Sequence, residues 1–128
     1  MKYKYSAEFE IRASPKMIYP YLSTPSGLQE WFADEVTTAS DKVYHIFWDG
    51  IDHPAKVTAR RTNNHIKYQF ISENGTNNNS YLEFKVSHND LTQTSFLKII
   101  DYSEMDDEDD LQELWVQLID QLREVTGG

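Results

Sequence analysis

No cysteine occurs among the 128 residues, which excludes disulfides, thiolate catalysis and Cys-ligated zinc or iron–sulfur centres. A metal would have to be held by histidines and carboxylates, and no spacing in the sequence marks such a site; neither a metal nor a cofactor is expected. Long apolar runs are missing as well. Nothing approaches the roughly 20 residues needed to cross a bilayer, and Met1-Lys2-Tyr3-Lys4-Tyr5 carries no apolar stretch of the secretory kind. The expectation is a soluble, cytoplasmic protein without a membrane span. Positive charge is scarce: 12 Lys and Arg stand against 21 Asp and Glu, for a net charge of −9. The only basic cluster is Lys56, Arg60, Arg61 and Lys67, so nucleic-acid binding is disfavoured. Catalytic motifs are absent too, with no Gly-x-Ser-x-Gly elbow, no His-Glu-x-x-His pair and no Gly-rich phosphate loop. No catalytic residue is nominated.

What is present points to one globular domain spanning 1–128, because 39% apolar and 13% aromatic residues supply a Tyr- and Phe-rich core. Residues 2 to 12 alternate polar and apolar side chains, from Lys2 and Tyr3 to Ile11 and Arg12, the period of a half-buried strand. Ser14 then reads as a helix N-cap and Pro15 as the first helical residue, where a missing N–H costs nothing. Pro20 is expected to end or kink that helix. Thr24-Pro25-Ser26-Gly27 is a second break, and Leu28, Trp31 and Phe32 form the apolar edge of a second short helix.

From Glu35 to Tyr102 no helical period occurs, only short β-forming runs separated by turn residues. The strands expected are 35–38, 42–48, 55–62, 65–72, 80–87 and 93–102, an antiparallel meander that gives seven strands with the first. The connectors include Trp48 to Pro54 and Glu73 to Asn79. Asn74-Gly75-Thr76 and Asn78-Asn79-Ser80 match the glycosylation pattern, but they read here as turn residues. Leu82, Phe84 and Val86 share one face opposite Glu83 and Lys85, as do Ile66, Tyr68 and Phe70 opposite Lys67 and Gln69. Strand 42–48 is undecided, with Val43, His45 and Phe47 on one face and Tyr44, Ile46 and Trp48 on the other.

A final amphipathic helix over about 107–125 places Leu111, Leu114, Trp115, Leu118, Ile119, Leu122 and Val125 at helical spacing. At about 1.5–3 kcal/mol per buried side chain, that stripe must lie against the sheet. Before it runs an acidic corner: Asp101, Glu104, Asp106, Asp107, Glu108, Asp109, Asp110 and Glu113. Outside these eight acids the chain is nearly neutral. Acids in the first turn of a helix stabilise its positive dipole end, and the run lacks the Gly and spacing of an EF-hand loop.

The order strand, two short helices, six strands and a long helix resembles the α+β helix-grip fold of START-like (SRPBCC, Bet v 1-like) proteins. Residues Ser14-Pro15-Lys16-Met17-Ile18-Tyr19 and Pro25-Ser26-Gly27-Leu28-Gln29-Glu30-Trp31-Phe32 resemble its Aha1-type members, the activators of Hsp90 ATPase. The resemblance implies a curved seven-stranded antiparallel sheet gripping the last helix, often around an apolar cavity. The motif itself carries no catalytic residue.

Three functions follow for weighing. A binding module would hold a small hydrophobic or amphipathic ligand, such as a lipid, between sheet and helix, lined by Trp31, Phe47, Tyr68, Phe84, Trp115 and Ile119 and oriented by His45, Tyr19 or the Tyr68 hydroxyl. Such a pocket could equally be filled by side chains or completed by a second copy in a homodimer. A protein-interaction or co-chaperone-like domain would use the acidic corner. An enzyme, of the cyclase or hydrolase kind, has only Asp52-His53 as an acid–base pair, and adjacent turn residues more often face solvent. Binding of a ligand is preferred. If Trp115 anchors the last helix, Trp115→Ala is expected to cost about 3–5 kcal/mol by chemical denaturation; a near-wild-type midpoint removes that helix from the core.

Overall fold

Alternation of side chains and three well-placed caps account for most of the architecture. The computed structural model describes residues 3–40, 43–72, 77–103 and 108–127. Strand β1 (Tyr3–Ile11) buries Tyr5 and Ile11 and leaves Lys4, Ser6, Glu8 and Glu10 in solvent. Helix α1 (Pro15–Ser23) starts where Ser14 accepts the Met17 amide through its hydroxyl. It continues through Pro20, which lies with Lys16 on the exposed face, so the carbonyl left without an amide partner is on the wet side of the helix. Thr24 closes α1, donating its amide and hydroxyl to the Pro20 carbonyl, and caps α2 (Pro25–Gln29) by accepting the Gly27 amide.

The strands are β2 (Glu35–Ser40), β3 (Val43–Trp48), β4 (Ile51–Arg61), β5 (His65–Ile71), β6 (Asn77–Asn89) and β7 (Thr94–Ser103), followed by α3 (Glu108–Thr126). They form one antiparallel sheet in the order β1-β7-β6-β5-β4-β3-β2. This is the helix-grip architecture that the resemblance implies. Gly127, at φ +78°, ends α3 in the left-handed conformation favoured at that position. No helix of the described residues is long and apolar enough to cross a membrane.

Two boundaries differ from the sequence reading, for identifiable reasons. The connector expected from Trp48 to Pro54 is a two-residue turn, because Asp49 and Gly50 both take positive φ (52° and 77°), the conformation that joins twisted antiparallel strands. Residues 51–54 then belong to β4. They pair with β3 alone, since pairing with β5 begins at Ala55, and a locally unpaired side tolerates Pro54. Similarly, Asn77 to Asn79 are strand rather than connector: β6 begins at Asn77, and the register with β5 shifts between Gln69 and Ile71, where Asn79 takes φ 67°. The rest of that expected turn, residues 73–76, lies outside the described residues.

The core lies on the concave face of the sheet. At one end it is dry and tied by tyrosines. Tyr68 donates to the Leu22 carbonyl (2.6 Å), Tyr44 to the Ser23 carbonyl (2.6 Å) and Tyr19 to the His65 carbonyl (2.9 Å), so sheet and α1 are bonded in both directions. Burial pushes the Tyr68 phenol well above its ordinary pKa, and it stays a neutral donor. The undecided strand is settled by these contacts: Tyr44, Ile46 and Trp48 face inward.

The α1–α2 junction is close enough to demand glycine. A Cβ on Gly27 would sit 2.1 Å from the Pro20 carbonyl oxygen and 2.7 Å from the Tyr21 Cα. Both obstacles are backbone. Gly27→Ala is therefore expected to lower stability by about 1–3 kcal/mol in urea titration, like other overpacked sites; an unchanged midpoint shows that the two helices can separate freely.

Candidate ligand cavity between the sheet and the last helix

At the other end of the concave face the core is not filled. A cavity of about 770 Å³ lies between the sheet, the α2–β2 segment and the N-terminal half of α3. Its buried surface is built by Trp31, Phe32, Leu82, Leu111 and Trp115, with half-buried Trp48, Phe70 and Leu118 at its sides. Gln29, Glu30, Asp34 and Asp49 form one exposed lip and Leu114 and Gln121 the other. Leu114 is 44% exposed although it belongs to the apolar stripe of α3, because the part of the helix it faces spans the opening rather than the sheet.

All three tryptophans of the chain line this cavity, and each indole N–H is held. Trp31 donates to the Tyr21 carbonyl (2.7 Å), Trp48 to the Phe32 carbonyl (2.8 Å) and Trp115 to the Asp101 carboxylate (3.0 Å). Phe32 stacks on Trp115, with centroids 5.8 Å apart and planes 20° apart, and meets Trp48 edge-on at 5.0 Å. The walls are thus preorganised in orientation as well as apolar.

The polar groups of the cavity are few. His53 enters it against the Trp48 ring, with centroids 5.0 Å apart. Ser80, Asp101 and Ser103 sit at its far end. Asp101 follows the inward parity of β7 after Leu97 and Ile99, both fully buried. Burial raises its carboxyl above the ordinary carboxylate pKa, while hydrogen bonds from Trp115 and Ser103 pull the other way.

The residues nominated from sequence divide into three groups. Trp31 and Trp115 line the cavity. Phe84, Tyr68, Ile119 and Tyr19 are buried in the packed core beside it: Phe84 touches both Trp31 (5.8 Å) and Trp115 (6.2 Å), and Tyr68 touches Phe84 (6.5 Å). His45 and Phe47 are not among the lining residues, since they alternate with inward Tyr44, Ile46 and Trp48; His45 bonds Asp52 (2.8 Å) on the outer side. That bond also separates Asp52 from His53, because neighbours along a strand point to opposite faces. The pair suggested by sequence adjacency is not formed. Among the described residues, no three His, Asp or Glu side chains converge to hold a metal ion.

Asp101, Ser103, Trp48 and His53 went unnominated as polar or aromatic lining. The signal for Asp101 was its spacing from Leu97 and Ile99, masked by the acids after it. Of those acids, Asp109, Asp110 and Glu113 are exposed near the start of α3, and Glu104, Asp106 and Asp107 lie outside the described residues.

The sequence profile of the START-like superfamily domain matches residues 1–128. The chain belongs to the START-like superfamily. Among solved structures, a Bacteroides fragilis protein studied by NMR in solution is 33% identical over 97% of this chain and 90% of that one, with a TM-score of 0.65. The Aha1 dimer of Colwellia psychrerythraea matches at a TM-score of 0.75 and 18% identity, covering 97% and 96% of the two chains. XoxI of Bacillus cereus matches at 0.76 and 14%, covering 96% and 94%. At such identities the last two likenesses concern the fold. A search of curated proteins finds no match.

The Asp101 environment gives this START-like domain a stability dependence of definite sign. The native state holds the Asp101 proton more readily than the unfolded chain does, so stability falls as pH rises from the ordinary carboxylate pKa of 3.8 through the raised one. Asp101→Asn keeps an acceptor for the Trp115 indole and loses the charge, so its Tm is expected to exceed wild type at pH 7. The gain should shrink as pH falls toward 4; a lower Tm for the variant at pH 7 contradicts the burial of this charge.

Proposed function

We propose that this START-like domain is a non-enzymatic binding module that holds one small hydrophobic or amphipathic ligand between the sheet and α3. The observation that carries this reading is the cavity of about 770 Å³ with aromatic walls, a volume within the range of about 300–1,000 Å³ typical of ligand pockets. The cavity opens to solvent between its two lips, so a ligand has a way in. A space of this size beside a tightly tied half-core is better explained as a site than as a packing fault. Ser80, Asp101 and Ser103 lie together where β6 and β7 pair, apart from the polar lip, which suits a ligand with one polar head and an apolar body.

Because Trp31, Trp48 and Trp115 all line the cavity, intrinsic fluorescence reports its occupation directly. Titration with a panel of medium-chain amphiphiles, each below its micelle concentration, is expected to give a saturable shift with one ligand bound per chain. Native mass spectrometry supplies the stoichiometry. Ser80→Leu adds volume at the far end of the cavity and is expected to weaken that binding by about tenfold while the protein stays folded. A response that never saturates, or one unchanged by Ser80→Leu, counts against a site here.

A further inference from the structure

The lining of the cavity is as uneven in charge as it is apolar. Four carboxylates reach it, Asp101 from within and Glu30, Asp34 and Asp49 at the lip, and no Lys or Arg is among the described lining residues. Its one basic side chain, His53, lies against Trp48. Indole and phenyl rings line the same cavity, and the faces of such rings attract organic cations. Asp101 is half-buried and no Lys or Arg faces it among the described residues; such a carboxylate is costly to keep charged, and a neutral ligand leaves that cost in place. An anionic ligand would add to it.

Given the ligand-binding reading above, we infer that the site takes a free organic cation, an amine or quaternary ammonium with an apolar tail. Its head lies toward Asp101, between the Trp115 and Trp48 walls, and its tail follows Leu82, Leu111 and Leu118. The Asp101 oxygen bonded to Trp115 is held in place by that indole, so the carboxylate is oriented before the ligand arrives. The lip acids raise the local concentration of cations at the entrance rather than contact the head.

Three probes of one chain length separate the alternatives: decyltrimethylammonium, decanol and decanoate, each followed by tryptophan fluorescence at moderate salt. The cation is expected to bind about tenfold or more tighter than decanol, with decanoate weakest. In Asp101→Asn that preference is expected to fall to near parity, through weaker binding of the cation and little change for decanol. Glu30→Gln should retain the equilibrium preference in large part and reduce the association rate of the cation. Equal binding of cation and alcohol by the wild-type protein, or tighter binding of decanoate, overturns the cation inference and leaves the cavity as a neutral-ligand site. No saturable response to any of the three overturns both readings.

Discussion

The packing of Trp115 is the interaction on which the rest of the structure turns. Its ring is stacked on Phe32, meets Phe84 nearly edge-on and approaches Trp31, while its N–H is fixed by Asp101. One side chain of α3 thereby touches the segment after α2, the centre of β6 and the end of β7, which are far apart in the chain. Aromatic pairs of this kind add about 0.5–1.5 kcal/mol each beyond the area they bury. Without that keystone, α3 has no specific seat on the sheet. The same rings that seat it are the walls of the cavity, so the domain's cohesion and its binding surface are made of common parts.

A second constraint is one of coverage. Seven strands spaced about 4.8 Å apart make a sheet roughly 29 Å across, whereas a helix with its side chains is about 10–12 Å wide. One long helix cannot cover such a face, even when the face is curled. The two short helices close one end, where the tyrosine hydroxyls of β3 and β5 reach the last carbonyls of α1. The opposite end is closed only partly, by α3 and the Trp31–Asp34 segment. The cavity is therefore a geometric remainder of the fold, and its chemistry is decided by which residues fall on the inward parity there.

The sequence exposed some of this more readily than the rest. Strong one-sided alternation, as in Leu82, Phe84 and Val86, determined the faces of β6, and the Ser14 cap was evident because capping chemistry is local. Strand β3 was ambiguous because both of its faces are apolar, and only the tie from Tyr44 to α1 resolves it; His45 and Phe47 were nominated from the outer face for that reason. The turn at Asp49-Gly50 was legible in principle but was obscured by Asp52 and Pro54, which resemble a longer loop. Asp101 was hidden by its acidic neighbours, with which it was read as one acidic corner. What sequence cannot supply is the alignment of distant strands, and the site is assembled from α2, β3, β4, β5, β6, β7 and α3.

The outermost position of β1 has a consequence for the order in which the protein is made. Tyr3 pairs with Ser103 and Ile11 with Ser95, so β1 bonds to a strand that follows it by most of the chain. The strands from β2 to β7 are joined in sequence order and can zip as successive hairpins, whereas β1 must close a loop of more than eighty residues. On a ribosome it emerges before the other strands, and its partner β7 only after all of them. During that interval its alternating Tyr, Ala, Phe and Ile face has no sheet to cover it. The interspersed Lys4, Glu8 and Glu10 are then less decoration of a finished surface than protection for a nascent one, since charges on alternate positions discourage an unpaired strand from joining its neighbours on the polysome.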